Sequence, residues 1–435
     1  MTMETNSFEA RSERSAVEGR RITVTGIVQG VGFRPFVHRL ARAQGITGRV
    51  CNDSAGATID VFGPHETLES FCRQLVLAPP PAASLTAVAW RPIAPEPCAD
   101  FEIRASEAGD DRCVSIPADI AVCAQCLSEV FDLRDRRFRY PFTNCTNCGP
   151  RFTIALDLPY DRCVTTMAAF AMCPECQREY DDPYDRRFHA QPNACPVCGP
   201  RLWLADSHGD RIHAGDPLEA AANALRSGSI VAVKGLGGFH LACDATSEEA
   251  VTRMRARKRR EEKPFAVMVR ELADAERFAL LTEAERSLLF SPERPIVLVR
   301  RTERSELAPE VAPASPLLGL MIAYTPLHHL LLAATGRPLV MTSGNLSEEP
   351  IAYRNDQAIE RLGTLADLFI LHDREIAAPC DDSVARVIVG APTVLRRSRG
   401  YVPRPVRVTP PLERPVLAVG AQLKNAFCLG SGDSI

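Results

Sequence analysis

Sixteen cysteines occur in this 435-residue chain, and eight of them form four Cys-x-x-Cys pairs near its middle. The pairs are Cys123/Cys126, Cys145/Cys148, Cys173/Cys176 and Cys195/Cys198. Two such pairs can surround one metal ion with four thiolates, and tetrahedral sulfur coordination is typical of structural zinc. Because sulfur fills every ligand position, we expect two structural Zn²⁺ sites with no open position for catalysis.

The second group of four cysteines repeats the first at an offset of 50 residues. The same offset aligns Glu129 with Glu179 and Arg136-Arg137-Phe138 with Arg186-Arg187-Phe188. This self-similarity indicates an internal duplication. Pairing of the cysteines within each repeat is the simplest arrangement, and pairing between repeats remains open. Redox cysteines, or two disulfides per repeat, are the alternative interpretation.

A second group of residues that could bind a ligand lies near the N-terminus. Ile22 to Val28 has the composition of a strand, and a helical pattern runs from Pro35 to Gln44. Gly30 and Gly32 lie between them, so the loop can present backbone N–H groups and a helix N-terminus to an anion. Arg34 can add a two-pronged contact to a phosphate or carboxylate.

This loop, Val28-Gln29-Gly30-Val31-Gly32-Phe33-Arg34, closely resembles the acylphosphatase signature. The resemblance implies a ferredoxin-like fold in which Arg34 binds the phosphoryl group and Asn52 orients the attacking water. It also implies a phosphate-binding loop made of Gln29, Gly30, Val31, Gly32 and Phe33. An acyl phosphate is already activated, so binding and water placement matter more than a strong base. A fold kept only for packing is the alternative.

Strands and helices alternate in the C-terminal part of the chain, from about Gly215 to Val408. A strand ends at Lys234, and a glycine-rich loop leads from it to His240. Glu248 to Arg260 has a helical pattern that ends in a basic run. Such a run is typical of a solvated helix end, where cations are favoured.

Three elements of this region resemble the YrdC/Sua5 family. Lys258 to Pro264 is similar to its Lys-x-Arg…Lys-Pro element, and Ser343-Gly344-Asn345 matches its Ser-x-Asn element. That family forms acyl-adenylates and releases pyrophosphate, so the resemblance implies ATP with Mg²⁺ as a substrate. The residues implied to bind the nucleotide or the carbamoyl group are Lys234, His240, Lys258, Arg260, Lys263, Ser343, Asn345, Ser383 and Arg396. Clustered cations would stabilise the charge on a polyphosphate.

The order of these modules resembles the HypF family of [NiFe]-hydrogenase maturation carbamoyltransferases. The most specific pieces are Tyr140 to Arg151, Arg187 to Pro192 and Lys234 to Leu241. The resemblance implies carbamoyl phosphate hydrolysis, carbamoyl-adenylate formation from ATP, and transfer to the C-terminal cysteine of the partner HypE as a cyanide precursor. Two alternatives are a threonylcarbamoyl-adenylate synthase of tRNA modification and a zinc-ribbon nucleic-acid-binding protein.

We therefore predict an α+β and α/β multidomain protein. Its parts are a ferredoxin-like acylphosphatase domain, a duplicated zinc-finger domain with four cysteines in each finger, and a YrdC/Sua5-like α/β domain. The predicted ranges are a disordered extension at 1–19, the acylphosphatase-like domain at 20–108, the zinc-finger domain at 109–205, the nucleotide-binding domain at 213–408, and the start of a truncated Kae1-like domain at 413–435.

Composition narrows the class of protein further. Hydrophobic residues make up 46% and charged residues 24% of the chain, which is ordinary for a globular protein. The formal net charge of −3 disfavours a general nucleic-acid binder. No apolar run is long enough to span a membrane, and paired cysteines of this spacing are typical of reducing compartments. We expect a cytoplasmic protein.

Overall fold

The computed structural model describes residues 17–53, 56–80, 82–104, 116–213, 215–302, 305–347, 349–420 and 426–435. The chain divides into two compact units, Met1–Val114 and Ser115–Ile435. Residues 1–16 of the predicted extension lie outside the described residues, and residues 17–19 are part of the first strand. The predicted boundary at residue 108 also falls outside them.

The first unit has the predicted ferredoxin-like fold. Its elements are β1 (Val17–Ile27), α1 (Phe33–Ala43), β2 (Thr47–Asp53), β3 (Gly56–Pro64), α2 (His65–Leu77), β4 (Ser84–Ile93) and β5 (Phe101–Ile103). The sheet order is β4-β1-β3-β2-β5, and β5 runs parallel to β2. Ile22 and Val24 point into the core while Thr23 is exposed, as the two-residue period of a strand requires. The helices cover the same face with residues such as Val37 and Phe71.

The cysteine repeats contain little regular structure. Their elements are α3 (Ala124–Phe131), α4 (Pro174–Asp181) and three short 3-10 helices at Phe152–Ile154, Arg162–Val164 and Thr166–Ala169. Each α-helix follows the first cysteine of its repeat, Cys123 or Cys173, which is the N-cap residue. The repeats have only small clusters of buried residues, so a metal ion held by the cysteines would replace part of a hydrophobic core.

A mixed sheet of twelve strands forms the α/β part of the second unit. Its strands are β6 (Leu202–Asp206), β7 (Arg211–Ile212), β8 (Val231–Lys234), β9 (Phe239–Asp244), β10 (Ala266–Val269), β11 (Ala279–Leu280), β12 (Ile296–Arg301), β13 (Leu317–Ile322), β14 (Leu339–Ser343), β15 (Leu368–His372), β16 (Val384–Ile388) and β17 (Ala391–Arg396). The main path runs β17-β16-β12-β13-β10-β14-β9-β8-β15-β6-β7, and β11 pairs with β12. Strand β6 begins inside the range predicted for the zinc-finger domain.

Helices cover this sheet and close its core. They are α5 (Pro217–Arg226), α6 (Glu248–Lys258), α7 (Leu272–Glu276), α8 (Glu283–Leu289), α9 (Pro326–Thr335) and α10 (Asn355–Leu362). The predicted helix at 248–260 is thus confirmed, and it ends where Arg259 adopts a left-handed conformation. Buried residues on both sides of the sheet form two apolar clusters, which hold the strand ends that carry the predicted site residues.

The cysteine repeats pack against the α/β part through backbone hydrogen bonds. Val122 N–H donates to Tyr324 O at 3.0 Å, and Ala377 N–H donates to Thr153 O at 2.8 Å. Arg139 adds ion pairs to Asp216 and Glu219 at the start of α5. The second unit is therefore one body in which the repeats share an interface with the sheet.

The C-terminal residues form a separate hairpin of β18 (Arg407–Val419) and β19 (Phe427–Ser434). Strand β18 begins before residue 413, where the Kae1-like segment was predicted to start, and residues 421–425 of that segment are outside the described residues. Among the helices that the structure describes, none is both long and apolar enough to cross a membrane.

One buried ion-pair cluster makes the stability of the first unit depend on pH. Asp60 accepts two hydrogen bonds from Arg21, at 2.6 and 2.8 Å, and one from Arg49 at 2.9 Å. Burial alone would raise the pKa of Asp60, but these arginines hold it below its usual value. Because the folded-state pKa is lowered, the stabilisation is present above the unfolded-state pKa and is lost as pH falls through the folded-state pKa.

We predict that Asp60→Asn lowers the free energy of unfolding of this unit at pH 7 by about 3–5 kcal/mol and flattens its dependence on pH below about 4. Trp90 on β4 can report the unfolding in urea, in a Trp203→Phe background that removes the other tryptophan. Glu102→Gln removes an exposed carboxylate from β5 and is the matched control. An equal acid sensitivity of wild type and Asp60→Asn would contradict the assignment.

Candidate functional sites

The loop between β1 and α1 forms an anion cradle. Gly30 and Gly32 have φ values of +65° and +76°, which L side chains rarely adopt. The backbone N–H groups of Val31, Gly32 and Phe33 have no hydrogen-bond acceptor within the part of the chain that the structure describes. Three successive N–H groups at the start of a helix suit a phosphate.

Arg34 and Asn52 are both buried beside this region. Gln29 Nε2 donates to Asp53 O at 2.7 Å and to Gly56 O at 2.9 Å, so the loop is tied to the strand end that carries Asn52. Both polar atoms of the Asn52 amide are buried without a partner in the described residues. An unsatisfied buried amide costs about 1–3 kcal/mol, which a bound water or substrate would offset. Both N–H groups of the Gln29 amide are used in these two hydrogen bonds, which hold the loop in place.

The eight paired cysteines form two clusters, and each cluster comes from a single repeat. In the first, the Sγ–Sγ distances are 3.8 Å for Cys123–Cys145, 3.8 Å for Cys145–Cys148 and 3.5 Å for Cys126–Cys148. In the second they are 3.7, 3.8 and 3.6 Å. A disulfide requires about 2.05 Å, whereas a tetrahedron with Zn–S bonds of about 2.3 Å has edges of roughly 3.8 Å. The donor sets therefore fit tetrahedral zinc.

Arginines cross from each repeat to the cysteines of the other. Arg136 Nη2 lies 2.7 Å from Cys176 Sγ, and Arg186 Nη1 lies 3.0 Å from Cys126 Sγ. Amide groups also point at sulfur within the first cluster, where Asn147 N–H donates to Cys145 Sγ at 3.4 Å. The crossing arginines are the main partners of the thiolates outside the clusters, and each belongs to the opposite repeat.

A glutamate of each repeat likewise forms an ion pair with an arginine of the other repeat. Arg137, almost fully buried, makes a two-pronged pair with Glu179 at 2.8 and 2.5 Å. Arg187 pairs with Glu129 in the equivalent way. Burial would raise the pKa of Glu129 and of Glu179, but the paired arginines hold it below its usual value in both. Arg137 and Arg187 are therefore paired within the module.

A cavity of about 340 Å³ lies in the α/β part of the second unit. It is lined by Arg260, Lys263, Ser343 and Arg396 among the predicted residues, and by Phe265 and Asp382. The Arg260 guanidinium lies over the Phe265 ring at 4.9 Å. Burial, with the charges of Arg255 and Arg396, lowers the pKa of Arg260 to about 10, so it stays a cation at neutral pH. The volume and the cations of this cavity suit a polyphosphate or nucleotide.

The lysine of the basic element is buried behind this cavity. Lys258 Nζ donates to Ser343 O and Asn345 O, both at 2.5 Å, and to Asn345 Oδ1 at 3.1 Å. Ser343 Oγ donates to the same amide oxygen at 2.6 Å. The structure thus joins Lys258, Ser343 and Asn345 into one hydrogen-bonded group, with Ser343 facing the cavity.

His240 reaches the cavity through an aspartate. Its Nε2 lies 2.7 Å from Asp382 Oδ2, and Arg399 Nε donates to Asp382 Oδ1 at 2.8 Å. Although burial would raise the pKa of Asp382, Arg399 and then His240 hold it well below its usual range. The sequence analysis assigned no role to Asp382 or Arg399, although Asp382 lies directly before the predicted site residue Ser383.

Two predicted residues lie apart from the large cavity. The Ser383 hydroxyl is fully buried, donates to Arg399 O at 2.9 Å and accepts from Ser398 N–H, so it braces a loop. Lys234 lies in a smaller cavity next to the cysteine repeats, where Nζ donates to His372 O at 3.0 Å. Burial and the charge of Arg374 lower the pKa of Lys234 to about 8.

Comparisons with known families match each of these parts. The acylphosphatase family matches residues 20–103, and the HypF finger matches residues 122–155 and 172–205. The Sua5/YciO/YrdC family, described as "Telomere recombination", matches residues 223–398. Fold and sites together define a multidomain protein that joins an acylphosphatase domain, paired four-cysteine fingers and a YrdC-like α/β domain.

Whole-chain comparisons name the family. The carbamoyltransferase HypF of Rhodobacter capsulatus is 51% identical over 415 residues, 94% of this chain and 54% of that protein. For carbamoyltransferase HypF of Synechocystis sp. the identity is 46% over 409 residues, 94% and 53% of the two chains. A crystal structure of full-length HypF in its phosphate- and nucleotide-bound form has a TM-score of 0.93 at 44% identity, covering 98% of this chain and 56% of that one. The chain belongs to the HypF family.

The chain spans about half the length of the curated relatives it matches. The parts it shares with them are the acylphosphatase, finger and YrdC-like regions described above.

The contacts of Arg136 and Arg186 with the cysteines of the opposite repeat lead to a prediction about metal affinity. We predict that Arg136→Gln weakens metal binding at the Cys173/Cys176/Cys195/Cys198 cluster about 10–100-fold, although Arg136 belongs to the other repeat. Loss of a charge-assisted hydrogen bond to a thiolate is the physical reason. Competition of the zinc-loaded protein with a chromophoric chelator measures both affinities, and ¹¹³Cd NMR assigns the weakened site.

Arg134→Gln, which removes an exposed arginine two residues away, is the matched control and should leave both affinities unchanged. If Arg136→Gln instead weakens the cluster of its own repeat, or neither cluster, the crossing contact does not support the metal.

Proposed function

We propose that this chain hydrolyses carbamoyl phosphate in its first unit and uses ATP in its second unit to form carbamoyl-adenylate. One observation carries the proposal: a phosphate cradle with Arg34 and Asn52, and a cation-lined cavity with the Lys258–Ser343–Asn345 group, occur in one chain of the HypF family. Zinc in both cysteine clusters is part of the proposal, in a structural role.

The first reaction is a hydrolysis that yields carbamate and phosphate. In it, the N–H groups of Val31, Gly32 and Phe33 and the Arg34 guanidinium bind the phosphoryl oxygens. The unpartnered Asn52 amide orients the attacking water. Because the substrate is an activated acyl phosphate, positioning and charge stabilisation are sufficient for catalysis.

The second reaction joins carbamate to the nucleotide. A carbamate oxygen attacks the α-phosphorus of ATP, and the bond to pyrophosphate breaks. Arg260, Lys263 and Arg396 stabilise the charge that develops on the leaving group, and Mg²⁺ bound to ATP adds to this. Lys258 holds Ser343 and Asn345 in position, and Ser343 lines the cavity in which the ligand would bind.

The carbamoyl group then passes to the C-terminal cysteine of HypE as the precursor of the cyanide ligands of the [NiFe] site. This step and a cytoplasmic location are proposed from the family alone. A threonylcarbamoyl-adenylate synthase would need the YrdC-like part but neither the acylphosphatase cradle nor the fingers. A nucleic-acid-binding role is less well supported, because Arg137 and Arg187 are buried in pairs with Glu179 and Glu129.

A pyrophosphate-exchange assay tests the coupled scheme. We predict ATP–pyrophosphate exchange that depends on carbamoyl phosphate, and a loss of roughly 100-fold or more in Arg34→Ala, because phosphoryl binding and charge stabilisation are removed. Carbamate supplied by a concentrated ammonium hydrogencarbonate solution should restore exchange in Arg34→Ala. Lys258→Met should lose exchange with either substrate.

Glu102→Gln, which removes an exposed carboxylate of the first unit, is the matched control. Unchanged carbamoyl phosphate dependence in Arg34→Ala would refute the first step. Exchange that requires threonine would favour the synthase alternative.

A further inference from the structure

A second, much smaller cavity lies inside the second unit, between the cysteine repeats and the α/β part. Its volume of about 20 Å³ is large enough for a water molecule or an ion of a few atoms, and far too small for a nucleotide. The repeats contribute Phe142 and Thr143 to its wall, and the α/β part contributes Lys234 and Arg374. It is separate from the 340 Å³ cavity, with which it shares no lining residue.

The two cations of this wall are buried and incompletely paired. Arg374 is 6% exposed, and its guanidinium has no hydrogen-bond acceptor or ion-pair partner among the residues described. The guanidinium lies over the Phe142 ring, 5.0 Å from its centroid. Lys234 is 3% exposed, and one backbone oxygen, His372 O, uses one of its three N–H groups. Two buried positive charges without a counter-ion are strongly unfavourable.

Three carboxylates act on these cations through their charge, namely Glu375, Asp373 and Asp119. Glu375 and Asp373 are exposed to solvent. Asp373 accepts a hydrogen bond from the backbone N–H of Arg201 at 2.8 Å. Asp119 accepts from Arg151 N–H and from Thr153. None of the three forms an ion pair with Lys234 or Arg374 in the described parts of the chain, so neither cation has a directly paired carboxylate.

A helix N-terminus adds to the same positive field. Helix α9 starts at the cavity wall, where Thr325, Pro326 and Leu327 are lining residues. Thr325 caps His328 N–H, while Leu327 N–H finds no acceptor in the described segments. The partial positive charge of a helix start and a spare N–H group favour an anion.

We propose that this cavity binds a small planar monoanion of the one-carbon carboxylate class, to which hydrogencarbonate and carbamate belong. Arg374 and Lys234 supply its counter-charges, and Leu327 N–H supplies a hydrogen bond. The size of the cavity excludes carbamoyl phosphate and ATP. The choice of carbamate within this class rests on the proposed function, whereas the binding of a small anion does not.

Crystals of the whole chain soaked in sodium bromide test the site without any substitution. We expect an anomalous difference peak in contact with the Arg374 guanidinium and Lys234 Nζ. Bromide peaks confined to other places would overturn the proposal. Neither result depends on catalysis, so a failure here is distinct from a failure of the exchange assay.

Thermal unfolding with sodium hydrogencarbonate tests the proposed ligand class. A ligand that binds the folded state raises the melting temperature in a saturable way. We expect this shift in wild type, beyond that of sodium chloride at equal ionic strength, and its loss in Arg374→Gln and Lys234→Met. Arg270→Gln removes an exposed cation and should keep the shift.

Arg260→Gln, a substitution in the 340 Å³ cavity, distinguishes anion binding there from binding in the small cavity. If Arg260→Gln loses the shift and Arg374→Gln keeps it, the anion binds in the larger cavity and the proposal fails. A wild-type protein that shows no shift beyond chloride also overturns the proposed class of ligand.

Discussion

Each cysteine repeat places an arginine beside the cysteines of the other repeat, and the second unit depends on this reciprocal contact. Four thiolates and one Zn²⁺ leave two negative charges in a half-buried site, and such charge must be compensated. Arg136 reaches Cys176 and Arg186 reaches Cys126, so each repeat supplies the other's counter-charge. Each repeat holds all four cysteines of its own cluster but depends on the other repeat for the arginine beside them, which accounts for a module built as a pair.

This constraint extends from the repeats to the α/β part. With a metal ion in each cluster, the module would present a fixed face to the sheet. At this face the backbone N–H of Val122 donates to Tyr324 O, and Phe142 lies against His372 and Arg374. Tyr324 in turn stacks on Arg399, which holds Asp382 and, through it, His240 at the large cavity. The fingers therefore support the 340 Å³ cavity by packing. Four cysteines would fill every coordination position of a zinc ion, so none would be open for catalysis.

The sequence was most informative where residue spacing dictates chemistry. The cysteine sets, the loop at residues 28–34 and the strand and helix around Lys258 could all be recognised locally. Pairing within repeats, the crossing of Arg136 and Arg186, and the placement of Lys234 away from Lys258 depend on contacts between distant segments. No local pattern encodes such contacts, because side chains that pair across a fold can lie anywhere in the chain. Ser383 shows the same limit, since its buried hydroxyl serves Arg399 and Ser398.

Native mass spectrometry of the metal-free chain during zinc titration tests the central claim most directly. If each repeat completes the other's site, the first zinc ion favours binding of the second, and the protein passes from the metal-free to the two-zinc form with little one-zinc species. Because the arginines that link the sites should cause this, Arg136→Gln should increase the one-zinc species. A statistical distribution in wild type, in which one-zinc protein is the main species at half saturation, would contradict the account.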